Sequence, residues 1–111
     1  MQDVSAYFRA LADHTRLTIV RYLACHERVT VTQLCRELHL SQPLISWHLR
    51  RLRRAGIVQT RREGRQVWCS LDRAALQTYE RRLDHILGLE KTGDANQSDV
   101  QPVSLKSARH G

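Results

Sequence analysis

The chain predicts a mainly α fold with a small β-hairpin, ordered α-α-α-α-β-β-α, a winged helix-turn-helix, and three observations carry that expectation. Two short helical patterns, one from Thr32 and one from Ser41 to Ala55, are joined by no more than His39-Leu40. Two β-branched and aromatic runs, Ile57 to Arg61 and Gln66 to Leu71, flank the polar Arg62-Glu63-Gly64-Arg65. Charge is the third: from Arg50 to Arg73 there are eight arginines against Glu63 and Asp72, a local excess of six in a chain of formal net charge +7.

Val4 to Leu11 is a helical pattern with Val4, Phe8 and Leu11 on one side. Asp13 suits the cap of a second helix, in which Leu17, Val20 and Leu23 or Ala24 form the inward stripe while Arg16 and Arg21 stay outside. Cys25 to Arg28 lacks periodicity and reads as a loop. Val29-Thr30-Val31 is briefly extended, and Thr32 caps Gln33 to Leu38, with Leu34 and Leu38 inward. Ser41 supplies the next cap hydroxyl, and Pro43 sits in the first turn, where its missing N–H costs nothing. Leu44 or Ile45, Leu49 and Leu52 then make one apolar stripe. Gln42, Ser46, Trp47, Arg50, Arg51 and Arg54 make the opposite one, and His48 falls away from those arginines and reads as structural. Ala55-Gly56 ends the helix, the glycine free to turn left-handed.

After the hairpin, Asp72 or Ser70 caps a long helix to about Glu90, with Leu76, Tyr79, Leu83 and Ile86 repeating at three and four and Leu87 and Leu89 widening the stripe. This stripe either packs on its own domain or forms a two-fold seam with the first helix. The second is favoured, because nothing further along the chain covers it, and gives Val4, Phe8, Leu76, Tyr79, Leu83, Ile86 and Leu87 as interface residues. Residues 1–91 are expected to form the domain. Residues 92–111, polar and containing Gly93 and Pro102, are expected to be a disordered tail.

A chain of 111 residues buries one modest core, and a small core often leans on dimerisation. The pI near 10.2 with clustered arginine calls for a polyanionic partner. No apolar run is long enough for a membrane span, and Met1-Gln2-Asp3 lacks the basic start of a signal peptide, which points to the cytoplasm. Three cysteines with no CxxC pair argue against a disulfide framework or a zinc ribbon. A glycine-rich phosphate loop, a nucleophile elbow and paired carboxylates are all missing, so an enzyme is not expected.

Phe8-Arg9-Ala10-Leu11-Ala12-Asp13-His14-Thr15-Arg16-Leu17 resembles the "ALADPTRL" opening of the ArsR/SmtB family of dimeric winged-helix repressors, with His14 in place of proline. Leu40-Ser41-Gln42-Pro43-Leu44-Ile45-Ser46-Trp47-His48-Leu49 follows that family's "LSQPxISxHL" recognition segment, and Gly56-Ile57-Val58, Arg61 to Arg65 and Trp68 resemble its helix end and wing. The resemblance covers about Val4 to Leu87. It implies a homodimer that binds an operator, an inverted repeat in double-stranded DNA, and releases it when a metal, metalloid, thiol oxidant or other signal arrives.

On that footing Gln42, Ser46 and Trp47 face base edges in the major groove, with Ser41, Pro43 and the helix N-terminus near a phosphate. Gln42 is suited to adenine, a contact worth about 1–3 kcal/mol of discrimination. Trp47 departs from the motif's usual polar or basic residue, and either meets a thymine methyl or packs on its own domain. Arg50, Arg51 and Arg54 suit phosphates, and Arg62 and Arg65 at the hairpin tip suit a minor groove or its phosphates. The rival is a protein-docking module, for which Trp47 is the one anchor.

The signal is less marked. Relative to the family's arsenic-sensing branch, Cys35 stands where one ligand cysteine is expected, with Thr30 and Thr32 in the other places. Relative to its zinc-sensing branch, Asp72 and His85 match the outer ligands, but Ala74 and Gly88 replace the other two. Asp72 then reads as a helix cap and His85 as a polar residue near the seam. A redox switch among Cys25, Cys35 and Cys69 is the third possibility, set against the usual role of cysteine as a small buried hydrophobe. No cofactor is required for the fold; a metal or metalloid ion would enter as inducer.

Overall fold

The computed structural model describes residues 4–90, so the tail expected over 92–111 lies outside the described residues. Its elements are α1 (Val4–Leu11), α2 (His14–Ala24), β1 (Val29–Thr30), α3 (Val31–Leu38), α4 (Gln42–Arg54), β2 (Val58–Glu63), β3 (Gln66–Leu71) and α5 (Arg73–Leu87). Two compact units divide between Tyr79 and Glu80, within α5. The expected order of helices and hairpin is present, with one strand added.

In the first unit, Ile19, Leu23, Val29, Leu34, Ile45, Leu52, Ile57 and Cys69 are the most deeply buried large side chains. They come from α2, β1, α3, α4, β3 and the loop before β2, so one core ties the helices to the sheet. The stripe of α2 differs from the expected one. Leu17 is 49% exposed, and the buried positions are Arg16, Ile19 and Leu23. A charged residue at Arg16 hides this face from a hydrophobicity count, and its burial rests on polar partners described below. On α1 the buried residues are Tyr7 and Ala10, with Phe8 40% exposed. Tyr7 stacks on Tyr79 with ring centroids 4.1 Å apart, which places Tyr79 in the protomer's own core instead of on a free seam. Leu76 and Val4 are half-buried against the same core.

The hairpin is the larger part of a three-stranded antiparallel sheet in the order β1-β3-β2. Val29 pairs with Cys69 and Thr30 with Trp68, a long-range ladder that local composition does not announce. A two-stranded hairpin alone is marginal in water, and the third strand anchors it to the core through Val29. Because Thr30 ends that strand in extended conformation, its hydroxyl is placed to accept the Gln33 amide at 3.1 Å. The cap of α3 is therefore Thr30, not Thr32, and Val31 is already helical. Glu63 pairs with Gln66, so the turn is the two residues Gly64-Arg65, with Gly64 at φ +66°.

α5 starts where Asp72 Oδ1 accepts the Ala75 amide at 3.0 Å, which selects Asp72 over Ser70 as the cap. It ends at Leu87 rather than Glu90, because Gly88 turns left-handed and the Leu89 amide donates back to the Asp84 carbonyl at 2.8 Å. In the second unit Leu83 is half-buried while Ile86, Leu87 and Leu89 stay exposed. No helix among the described residues is long and apolar enough to cross a membrane.

Candidate nucleic-acid interface

α4 is held at both ends by its own sequence. Ser41 Oγ accepts the Leu44 amide, Pro43 lies within the first turn, and Ala55 closes the last turn by donating to the Arg51 carbonyl. The tight entry from α3 passes through His39 at φ +56°, whose amide donates to the Cys35 carbonyl. Ile45, His48, Leu49 and Leu52 are buried, leaving Leu44 outside and settling the open choice of stripe. Ser41, Gln42, Pro43, Trp47, Arg50, Arg51 and Arg54 are exposed and Ser46 is half-buried, so the side chains expected to read DNA are accessible. At the N-terminal end of α4 an anion is favoured by the helix dipole.

The sheet brings the wing to the same face. Arg62 and Arg65 line one cleft with Gln42 of α4 and Thr32 and Cys35 of α3, so of the side chains expected to face bases this cleft joins Gln42 to the wing arginines. Glu63 subtracts from this charge: it pairs with Arg28 at 3.1 Å and Arg61 at 3.7 Å. Arg28 also lies 4.0 Å over the Trp68 ring, which braces the base of the wing. Arg28 and Arg53 are contributors that the sequence did not single out. Arg53 Nη1 donates to Thr60 Oγ1 at 3.0 Å and ties α4 to β2. A second cleft, between α1 and α4, joins Arg9 to Arg51 and Arg54.

Trp47 is 44% exposed, yet its ring is not idle: the Arg51 guanidinium stands 5.1 Å and the Arg16 guanidinium 5.9 Å from its centroid. It packs on its own domain with one face and presents the rest to solvent. Beneath it, Arg16 is 7% exposed and His48 6%. Arg16 Nε donates to the Ala10 carbonyl at 2.6 Å, and Nη1 meets His48 Nδ1 at 3.3 Å. A guanidinium has only donors, so Nδ1 accepts and the ring proton belongs on Nε2. Burial lowers the His48 pKa below 6.5, with Arg16 and Arg51 pushing the same way and Asp13 pulling back. Asp13 Oδ2 accepts the Arg16 amide at 3.0 Å, and that bond chiefly holds its carboxyl below the ordinary 3.8. The expectation that Arg16 stays outside is thus corrected, and the structural role of His48 is borne out.

The candidate sensing residues are scattered. Cys25 is exposed, Cys35 is half-buried in the wing cleft, and Cys69 is buried between β1 and β2. Burial pushes the Cys69 thiol up to about 11, so it is protonated at neutral pH and a poor nucleophile. That removes Cys69 from a thiolate-based switch. Asp72 is engaged as a cap, and His85 Nδ1 contacts Glu90 in the second unit. Among the described residues no group of three or more His, Cys, Asp or Glu is placed to hold a metal. Asp72 and His85 without two further ligands do not fit a tetrahedral zinc site.

Residues 13–60 match the profile of the bacterial regulatory protein, arsR family. The chain is 36% identical over 104 residues to the arsenic resistance transcriptional regulator ArsR1 of Pseudomonas putida KT2440, covering 94% of this chain and 77% of that one. It is 31% identical over 85 residues to the arsenical resistance operon repressor of Staphylococcus aureus, covering 77% of this chain and 81% of that one. Among solved structures, HlyU from Vibrio cholerae N16961 is similar at a TM-score of 0.62 and 32% identity, over 74% of this chain and 88% of that one.

Proposed function

The chain belongs to the arsR family of bacterial regulatory proteins, transcription regulators and not enzymes, and from that premise we propose that it is a repressor that binds an operator as a homodimer and is released by a chemical signal. One observation carries the reading most directly: Gln42, exposed in the first turn of α4, lines the same cleft as the wing arginines Arg62 and Arg65. A helix end offering Gln42 and Ser46 reads base edges, and flanking arginines fix register on phosphates. Self-repulsion among so many exposed guanidinium groups is offset when a polyanion lies against them.

Two copies supply the two-fold symmetry that an inverted repeat mirrors. Exposed Phe8 on α1, and Leu83, Ile86 and Leu87 on α5, are the apolar residues this reading assigns to the contact between copies. The signal is a metal or metalloid ion or a thiol oxidant, and Cys25 and Cys35 are the residues it would meet. The names of the relatives favour a metalloid, while a single half-buried Cys35 falls short of the three thiolates a soft-metal site takes.

Mobility shift on the duplex upstream of the chain's own gene tests this, first with reduced protein, then after mild peroxide, and separately with zinc, cadmium and trivalent arsenic. Retardation by the reduced, metal-free protein is the expected result. Release by peroxide and recovery with dithiothreitol assigns the switch to the thiols; release by one metal alone assigns it to that ion. Protein that shifts no duplex in any state favours the protein-docking alternative, for which exposed Trp47 and Leu44 are the anchors.

A further inference from the structure

The polar node under α4 is costly. Arg16 and His48 sit almost wholly out of solvent, where a guanidinium without partners is strongly disfavoured. The Arg16 guanidinium answers this at two places, the α1 end through the Ala10 carbonyl and the middle of α4 through His48 Nδ1, while its backbone amide donates to Asp13 in the α2 cap. Each bond has a fixed direction. Of these bonds the His48 contact is the one that reaches α4, and it ties the middle of the helix that carries Gln42, Ser46 and Trp47 to α2. Apolar contacts such as those of Ile45 and Leu52 hold the helix in place but are far less directional.

We propose that the Arg16–His48 contact is a proton-sensitive strut, which keeps α4 in its DNA-reading rotation while His48 is neutral and gives way when His48 is protonated. This rests on the operator-binding reading above and adds regulation to that same surface. Protonation turns Nδ1 from acceptor to donor, so an N–H faces the Arg16 N–H across the present 3.3 Å, cation against cation. The nearest group able to receive it is Asp13 Oδ2, 3.9 Å away and already bonded to the Arg16 amide. Accepting the imidazolium there draws on the cap of α2. The charged groups acting on the ring are Asp13 from the loop before α2, Arg16 from α2 and Arg51 from α4 itself. α1 offers the Ala10 carbonyl to Arg16, while its Arg9 stands with Arg51 and Arg54 in the cleft beside the node. From the sheet, Thr60 engages Arg53 rather than the ring.

The sign of the effect distinguishes the strut from ordinary charge. Positive charge added in acid elsewhere on a protein strengthens its binding to any DNA. A strut lost on protonation weakens sequence-specific binding over the same range. His48, with its folded pKa depressed, must lose its proton for the reading geometry, so affinity is full above about 6.5 and falls as pH drops below it.

The test is the dissociation constant of the full chain for its upstream duplex and for a random-sequence duplex, at fixed ionic strength, from about pH 8 to about pH 5.5. Specific affinity should fall in acid by up to about a hundredfold per pH unit, the limit for the two His48 protons of a dimer, while random-sequence affinity does not fall. His48→Asn places an amide oxygen near the Nδ1 position and cannot titrate, so its specific affinity should not fall in acid, whatever its neutral value. Specific binding that is level or stronger in acid overturns the strut, as does an unchanged acid loss in the variant. Should that variant not fold, ring NMR of the unmodified chain decides: an Nε2–H tautomer with a midpoint below about 6.5 supports the strut, and an Nδ1–H tautomer or a higher midpoint overturns it. If no pH yields sequence-specific binding, the operator reading falls, and the ring titration alone then settles whether the strut exists.

Discussion

Removing both wing arginines, Arg62→Ala with Arg65→Ala, tests the charge geometry quantitatively. Both are exposed and face the same cleft as Gln42, whereas Arg61 and Arg28 share Glu63. Each guanidinium that meets a phosphate releases about 0.9 of a counterion, so the pair accounts for about 1.8 units of the slope of log affinity against log salt per half-site. Between about 50 and about 200 mM salt, a fourfold change, that share amounts to about a tenfold loss of affinity per half-site, about a hundredfold for the dimer, which the variant should not show. Fluorescence anisotropy with a labelled operator and a random duplex measures both slopes, and the two should flatten together, because phosphate contacts carry no sequence information. Folding is not at risk, since neither side chain is buried and Gly64 keeps the turn. Variant and parent lines that run parallel would take the wing off the DNA and refute the placement.

Glu63→Gln should act oppositely: freeing Arg28 and Arg61 steepens the slope by up to about one unit per half-site in the same anisotropy titration. Leu83→Asp with Ile86→Asp places charge at the half-buried Leu83 and the exposed Ile86 of α5, and sedimentation should then report a monomer; a dimer would put the contact elsewhere. Cys25 should react with iodoacetamide in the native protein while Cys69, 1% exposed with its thiol near 11, reacts only on unfolding; mass spectrometry of a timed quench reads the order. Asp13→Ala removes the α2 cap and should cost about 1–2 kcal/mol in urea denaturation at neutral pH. With its folded pKa lowered, Asp13 contributes stability that is present above about 3.8 and lost as pH falls through the depressed value, so the variant and parent should converge in acid.

Local chemistry was legible wherever one residue decides one feature. Ser41 and Asp13 cap their helices, Gly64 takes the positive φ of the turn, and the Leu49/Leu52 stripe faces the core because its spacing leaves it nowhere else to go. What escaped depends on partners distant in sequence. Arg16 reads as surface until the Ala10 carbonyl, Asp13 and His48 are seen to converge on it, and with Arg16 inside, the whole face of α2 turns so that Leu17 goes out. Thr30 outcompeted Thr32 as a cap because pairing with Trp68 holds its backbone extended. Tyr7 and Tyr79 lie too far apart in the chain for periodicity to show them stacked, which moved Tyr79 from the expected seam into the core. The exposed arginine face was legible because its arginines cluster on one helix and one hairpin; the contacts of Arg28 with Trp68 and Glu63 were not.

The most direct test of the central claim is a hydroxyl-radical footprint of the reduced chain on its upstream duplex. Two α4 helices related by a two-fold axis should protect two segments on one face of the DNA, centred about 34 Å apart, one helical turn, with wing protection flanking them. A single protected segment, or uniform weak protection across the duplex, would contradict a dimer reading an inverted repeat.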